Sequence, residues 1–255
     1  MARAALLGRL IPHGPTPWRT ATVREVVAEA AHAVTLVLDV PEWPGQRAGQ
    51  HVDVRLTAED GYQAQRSYSI ASAPELDTLE LTVELIDDGE VSPYFVEELR
   101  AGDEFEVRGP IGGHFSWTVT DGGPLLLVAG GSGLVPLMSM LRHRGARASD
   151  VEAHVLASAR SDEDALYRDE LATLEPRAGL SVDWTFTRTP PAGWSGYDRR
   201  VDAAMLADVA PAPEARPLIF VCGPTPFVEA VADLLVDGGF DPRTIHAERF
   251  GPTGG

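Results

Sequence analysis

The sequence predicts two tandem domains: an antiparallel β-barrel or sandwich, then an α/β domain built on a parallel sheet. Three observations predict it. The first half holds short β-branched or alternating runs separated by turn clusters. After Asp121-Gly122-Gly123-Pro124 the pattern changes to apolar runs alternating with helix-like segments, the mark of βαβ units with both sheet faces covered. The 255 residues, 44% of them hydrophobic, are enough for two cores. We set the boundary near residue 121, giving domains 18–120 and 121–250.

In the first domain the strand-like runs are 22–27, 34–40, 51–56, 66–71, 79–86 and 104–107. Pro44-Gly45, Glu59-Asp60-Gly61 and Asp87-Asp88-Gly89 supply turns between them. One helix is expected over 93–99, ended by Arg100-Ala101-Gly102. The second domain should run strand 125–129, helix 134–144, strand 152–157, helix 163–174, strand 181–186, helix 201–209, strand 217–222 and helix 225–237.

Charge and cysteine content exclude several functions. With 38 acidic and 21 basic residues, the net charge of −17 repels phosphate backbones and anionic lipid, so no nucleic-acid partner is expected. All the basic residues are arginine. The single cysteine, Cys222, leaves no internal disulfide and no four-cysteine cluster within the chain. No apolar run approaches bilayer length. Residues 1–10 make a poor signal peptide because Arg9 interrupts a short apolar stretch, and residues 1–17 are expected to be loosely held. A cytoplasmic location follows as the expectation. The seven histidines show no metal-ligand spacing, and neither His-Glu-x-x-His nor Gly-x-Ser-x-Gly occurs, so no metal site is expected.

Four stretches carry chemistry. In Arg66-Ser67-Tyr68-Ser69, alternation puts Arg66 and Tyr68 on one strand face. A guanidinium fork suits a pyrophosphate and a tyrosine ring suits stacking; taken alone, the same run reads first as an ordinary amphipathic strand. Gly89-Glu90-Val91-Ser92-Pro93 reads as a helix start with Ser92 as N-cap, either a plain cap or an anion seat. Gly131-Ser132-Gly133 follows a buried strand and opens a helix, with Pro136 where a dinucleotide loop carries its third glycine. Cys222-Gly223-Pro224 ends another buried strand at the carboxyl edge of the sheet. There a cysteine is either a small hydrophobe or part of a ligand site.

Together and in this order, these stretches resemble the ferredoxin–NADP reductase family of flavoprotein reductases over residues 18–250. The resemblance implies an antiparallel flavin-binding barrel followed by a parallel-sheet pyridine-nucleotide domain. Arg66, Tyr68 and Ser69 look like its Arg-x-Tyr-Ser motif, implying pyrophosphate, ring and reactive-nitrogen contacts to FAD. Gly89, Val91 and Ser92 look like its Gly-x-x-Ser motif. Gly131, Ser132, Gly133 and Pro136 resemble its glycine loop, with Ser132 where threonine is usual. Cys222, Gly223 and Pro224 resemble the Cys-Gly-Pro motif beside the nicotinamide. Glu248-Arg249-Phe250 resembles the closing Glu-x-aromatic, although Gly251 to Gly255 follow Phe250. Ser69, Cys222 and Glu248 are thereby the candidate catalytic residues.

The resemblance further implies an oxidoreductase taking hydride from NADPH, or NADH, onto FAD and passing electrons to a separate acceptor, a ferredoxin or an oxygenase component. Two alternatives stay open: a diffusible flavin or quinone reductase, and a non-catalytic flavin-binding subunit. Thr187-Arg188, at the end of the strand expected over 181–186, resembles the Ser-Arg pair that holds the 2′-phosphate of NADP(H); the alternative is that Arg188 is a solvated loop residue. Arg142, His143, Arg144 and Arg147 form the one dense basic cluster, either a docking patch for an acidic partner or compensation of a helix dipole.

Overall fold

The computed structural model describes residues 16–86, 88–175 and 179–251. The expectations about residues 1–15 and 252–255 lie outside them. Six strands form the first sheet: β1 (Trp18–Ala30), β2 (Ala33–Asp39), β3 (His51–Thr57), β4 (Gln63–Ser69), β5 (Leu79–Glu84) and β6 (Glu104–Ile111). Their order is β4-β3-β6-β1-β2-β5, all pairs antiparallel. A bridge between Ile70 and Leu81 brings the end of β4 against β5 and closes the sheet into a barrel.

Alternation builds its core. Val52 and Val54 of β3, Leu36 and Leu38 of β2, and Leu79, Leu81 and Val83 of β5 point inward. Phe95 plugs the barrel from a single π-type turn at Tyr94–Glu98, its ring centroid 4.9 Å from that of Phe105. On the outer face of β3, Asp53 accepts hydrogen bonds from Arg108 and Ser67 at 2.6 and 2.7 Å. Burial works to raise that carboxyl, but these bonds overcome it and hold Asp53 below its ordinary value.

The second sheet is parallel and five-stranded: β7 (Leu125–Gly130), β8 (Ala153–Ser161), β9 (Leu180–Thr189), β10 (Leu218–Pro224) and β11 (Ile245–Phe250), in the order β11-β10-β7-β8-β9. Its helices are α1 (Leu134–Ala146), α2 (Arg168–Leu174), α3 (Ala203–Val209) and α4 (Thr225–Asp237). Leu125 and Leu127 face α1, whereas Leu126 and Val128 pack with α3 and α4. The continuous apolar run of β7 thus serves two cores. No helix of the described residues is long and apolar enough to cross a membrane.

The structure departs from expectation in four places. The predicted helix over 163–174 is confined to α2, because Tyr167 takes a left-handed backbone with φ 55° and its N–H is held by Glu29 of β1. β11 is an extra strand; its run Ile-His-Ala-Glu-Arg-Phe lies at the sheet edge and is only partly buried, so it lacks an apolar signature. Ser92 does not cap a helix: its hydroxyl accepts from the Ile86 N–H at 3.0 Å, tying the loop after β5 back to its own strand end. The basic cluster at 142–147 is not a surface patch either. His143 and Arg144 are buried and Arg142 is turned against the outside of the barrel wall, onto Ala71 and Glu80, because α1 packs between the sheet and the barrel; Arg147 alone is exposed.

Candidate functional site

The parallel sheet reverses its strand order between β7 and β10, and ligands of open α/β sheets sit beyond the carboxyl ends of the strands at such a point. Two of the predicted motifs meet there. Gly131–Gly133 is a one-turn lead into α1, and Cys222, paired in register with Ala129, lies two residues from the carboxyl end of β10. The contact leaves no room for side chains. A Cβ on Gly133 would sit on the Cys222 carbonyl and 2.8 Å from the Gly223 nitrogen, and one on Gly130 would meet the Phe227 ring at 2.9 Å. Gly131, at φ +56°, is open to solvent and free of such contacts. Pro136 lies in the first turn of α1, where no N–H is needed, so its place in the loop costs no hydrogen bond.

Register joins the other pieces. β11 sets Glu248 beside Cys222, Arg249 beside Gly223 and Phe250 beside Pro224. In the barrel, β3 sets His51 beside Ser69 and Val52 beside Tyr68. Glu248 Oε1 and His51 Nδ1 then approach to 3.4 Å across the two sheets. One crevice therefore holds Ser69 and His51 from the first sheet and Cys222 and Glu248 from the second. His51 Nδ1 and Glu248 Oε2 are buried and accept or donate no hydrogen bond, the two such side-chain atoms among the described residues. Unsatisfied buried polar atoms are costly, and two of them on neighbouring residues at the meeting of the sheets fit a polar ligand that would supply the missing bonds. Burial, aided by the Glu248 charge, pushes the Cys222 thiol well above its ordinary value, so it stays a neutral SH.

Outward from the crevice lies the barrel rim. The Tyr68 ring is part-buried against Phe95, 5.8 Å between centroids, and burial pushes its hydroxyl up to about 12. It remains a proton donor across the physiological range. Arg66, half-exposed, donates to Glu90 Oε2 at 2.5 Å, and Tyr62 donates to the other oxygen of Glu90 at 2.8 Å. The hydrogen bond from Tyr62 and then the Arg66 guanidinium hold Glu90 below the usual carboxylate range. Glu90 belongs to the same turn as Gly89, Val91 and Ser92. A Cβ on Gly89 would come within 2.8 Å of Ser92 Oγ, so the turn is wound tightly enough to demand glycine.

Thr187 and Arg188 lie apart from this group, at the carboxyl end of the edge strand β9. Two strand spacings, about 10 Å, separate β9 from β7. Thr187 donates to the Ala159 carbonyl at 3.4 Å, and Arg188 is exposed. His51 had no sequence signal beyond a polar residue opening a strand after Gly49. Its neighbourhood with Glu248 exists only in three dimensions.

Comparison with known proteins follows the same division. Residues 21–117 match the family profile described as the oxidoreductase FAD-binding domain, and residues 127–233 the oxidoreductase NAD-binding domain. The glycine betaine monooxygenase reductase subunit of Chromohalobacter salexigens is 34% identical over 211 residues, 81% of this chain and 56% of that protein. The chain thus spans little more than half the length of that curated relative. The structure of an Amycolatopsis cytochrome P450 reductase superposes with a TM-score of 0.80 at 30% identity, covering 93% of this chain and 71% of that one. A ferredoxin NADP+ reductase from Neisseria gonorrhoeae with bound FAD and NADP shares the fold, with a TM-score of 0.78 at 23% identity over 91% of this chain and 98% of that one.

Proposed function

The chain belongs to the ferredoxin–NADP reductase family of flavoprotein reductases, and from that premise we propose that it takes hydride from NADPH, or NADH, and delivers the electrons to a separate acceptor. We assign FAD binding to residues 18–120 and nucleotide binding to 121–250. The observation that carries this reading is the crevice where His51 and Glu248 meet from the two sheets, His51 Nδ1 3.4 Å from Glu248 Oε1, while His51 Nδ1 and Glu248 Oε2 are buried without a hydrogen bond. Bound FAD would supply the chemistry, accepting a two-electron hydride and giving electrons up again.

The chain's own residues bind and orient. Arg66 offers its fork to the pyrophosphate, with the Gly89, Val91 and Ser92 turn beside it. Tyr68 presents a ring whose hydroxyl stays protonated. Ser69 and His51 line the barrel side of the reacting centre; Cys222 and Glu248 line the nucleotide side. Cys222 acts by contact and shape, since a neutral thiol is neither base nor nucleophile. Gly131, Ser132 and Gly133 let the backbone approach the nucleotide pyrophosphate, Gly223 and Pro224 shape the nicotinamide side, and Phe250 closes the open edge. Thr187 and Arg188 select NADPH by the 2′-phosphate, since no carboxylate stands at either position to favour NAD.

The acceptor is a ferredoxin or an oxygenase component, in keeping with relatives named as a monooxygenase reductase subunit and a cytochrome P450 reductase. Lone Cys222 cannot ligate an iron–sulfur cluster within this chain. A chain with a single thiol and no disulfide suits the reducing cytoplasm. A second reading, a reductase that releases its flavin, is favoured by one contact. Glu90 already occupies the Arg66 fork. Anaerobic addition of NADPH to the FAD-loaded protein decides the main reading: the flavin absorbance should bleach within seconds, and an unchanged spectrum overturns it. Flavin that elutes apart from the protein on gel filtration would select the second reading.

A further inference from the structure

Helix α1 begins at the glycine loop and ends against the barrel, and its contacts with the barrel flank the candidate flavin motif. Ser139 is fully buried and donates to the Ser72 carbonyl at 2.7 Å. Arg142 donates through Nη1 to the Ala71 carbonyl at 3.0 Å and to Glu80 Oε2 at 2.8 Å. Its Nε and Nη2 reach both oxygens of Glu170 at 2.8 and 2.6 Å, and its guanidinium lies 5.2 Å over the Tyr167 ring. Tyr167 in turn bonds Thr82 on the barrel strand β5. Met140 fills the space beside Gly49, where a Cβ would meet its terminal methyl at 2.6 Å. His143 Nδ1 pairs with Glu75 at 2.8 Å.

Ala71 and Ser72 follow Ser69 by two and three residues; Gly49 precedes His51 by two. At its other end, the same helix is pressed through Gly133 onto the Cys222 carbonyl. The nine steps from Gly133 to Arg142 span about 14 Å of rigid helix. One element therefore touches the chain just after Ser69, the chain entering His51, and the strand carrying Cys222.

We propose that α1 is the strut that sets the distance between the two halves of the site, with Ser139 and Arg142 as positioning residues for hydride transfer. The proposal rests on the reading above that a nicotinamide and a flavin meet in this crevice. Two bodies joined by one chain move relative to each other unless an interface holds them. Hydride transfer needs its reacting atoms about 3–3.5 Å apart, and an error of about 1 Å can cost on the order of a hundredfold in rate. Arginine is required rather than any cation. Its planar fork meets a carbonyl and two carboxylates in three directions, which a lysine ammonium on a flexible stem does not reproduce.

The test uses the FAD-loaded protein with Ser139→Ala, Arg142→Lys and the double variant. Spin labels attached through Thr57→Cys and Asp237→Cys report the separation of the two bodies, the native thiol being buried. The expected result is a broadened label distance and a flavin-bleaching rate reduced about threefold for Ser139→Ala and about tenfold for Arg142→Lys. Flavin content and KM for NADPH should stay at wild-type values. Wild-type distance distributions in both single variants overturn the strut, as does a slower rate accompanied by lost flavin, which would place the effect in the flavin site. Ser139→Ala removes a single hydroxyl, so it keeps the test intact where Arg142 variants fold poorly. Should the wild type itself not bleach, the functional reading fails, and the label distances decide the strut alone.

Discussion

In the barrel, the candidate binding residues outward of the crevice present side chains at a rim: half-exposed Arg66 paired with Glu90, and part-buried Tyr68 leaning on Phe95. In the parallel sheet, the glycines beside Cys222 form a backbone cradle, with Gly130, Gly133 and Gly223 packed so closely that no Cβ fits. The difference teaches how each half will respond to change. A side-chain contact at a solvated rim can be lost or strengthened in steps. A backbone cradle with no spare volume answers to a single methyl with a displaced loop.

The largest effect is therefore expected from Gly133→Ala, whose methyl would press on the Cys222 carbonyl and push the loop off its strand. NADPH affinity should fall by on the order of a hundredfold while FAD stays bound. Gly131→Ala, with open space around it, should cost only about 1–2 kcal/mol from the left-handed backbone. Equal losses for the two, read from NADPH titrations, would break the contrast.

Next in size comes Arg66→Ala. A charge-assisted contact to a pyrophosphate is worth about 1.5–3 kcal/mol, or roughly ten- to a hundredfold in FAD affinity. Quenching of flavin fluorescence measures it, and an FAD affinity equal to wild type would remove Arg66 from the site.

Cys222→Ala should lower the bleaching rate several-fold at full flavin content, in keeping with a role by contact. Burial raises the thiol well above its ordinary value, so its protonation does not change as the solution is taken from pH 6 to 9. Iodoacetamide at pH 8 should accordingly modify the native protein far more slowly than the unfolded chain. Rapid alkylation of the folded protein would show a thiolate and contradict the contact role.

The smallest effect sharpens the rim side of the comparison. Glu90→Gln frees the Arg66 fork without removing it, and FAD should bind about two- to fourfold more tightly, the scale of one exposed ion pair. Riboflavin, which lacks phosphate, should show no gain. A gain for riboflavin as well would mean that Glu90 acts on the ring and not on the clamp.

How much was legible depended on sequence distance. Arg66, Tyr68 and Ser69 lie within one strand, and Gly131 to Gly133 within one turn, so local spacing displayed them. The change from antiparallel to parallel sheet was equally readable, because Leu125 to Ala129 is apolar without alternation whereas Val52 and Val54 alternate with Asp53. His51 and Glu248 were not legible as a pair, for they belong to different sheets and meet only after both have folded. The run Arg142 to Arg147 showed its charge but not its direction. β11 carried too little apolar signal for an edge strand to stand out.

The sequence by itself determined the two sheets, their order along the chain and the short motifs at strand ends. Those features rest on side-chain period and turn chemistry, which act over a few residues. Tertiary structure alone decided which side chains share the crevice, and that α1 turns Arg142 inward to grip Ala71 and Glu80. The reason is physical: a buried guanidinium is tolerable only where a carbonyl and carboxylates already converge, and their convergence is a property of packed elements, not of neighbouring residues.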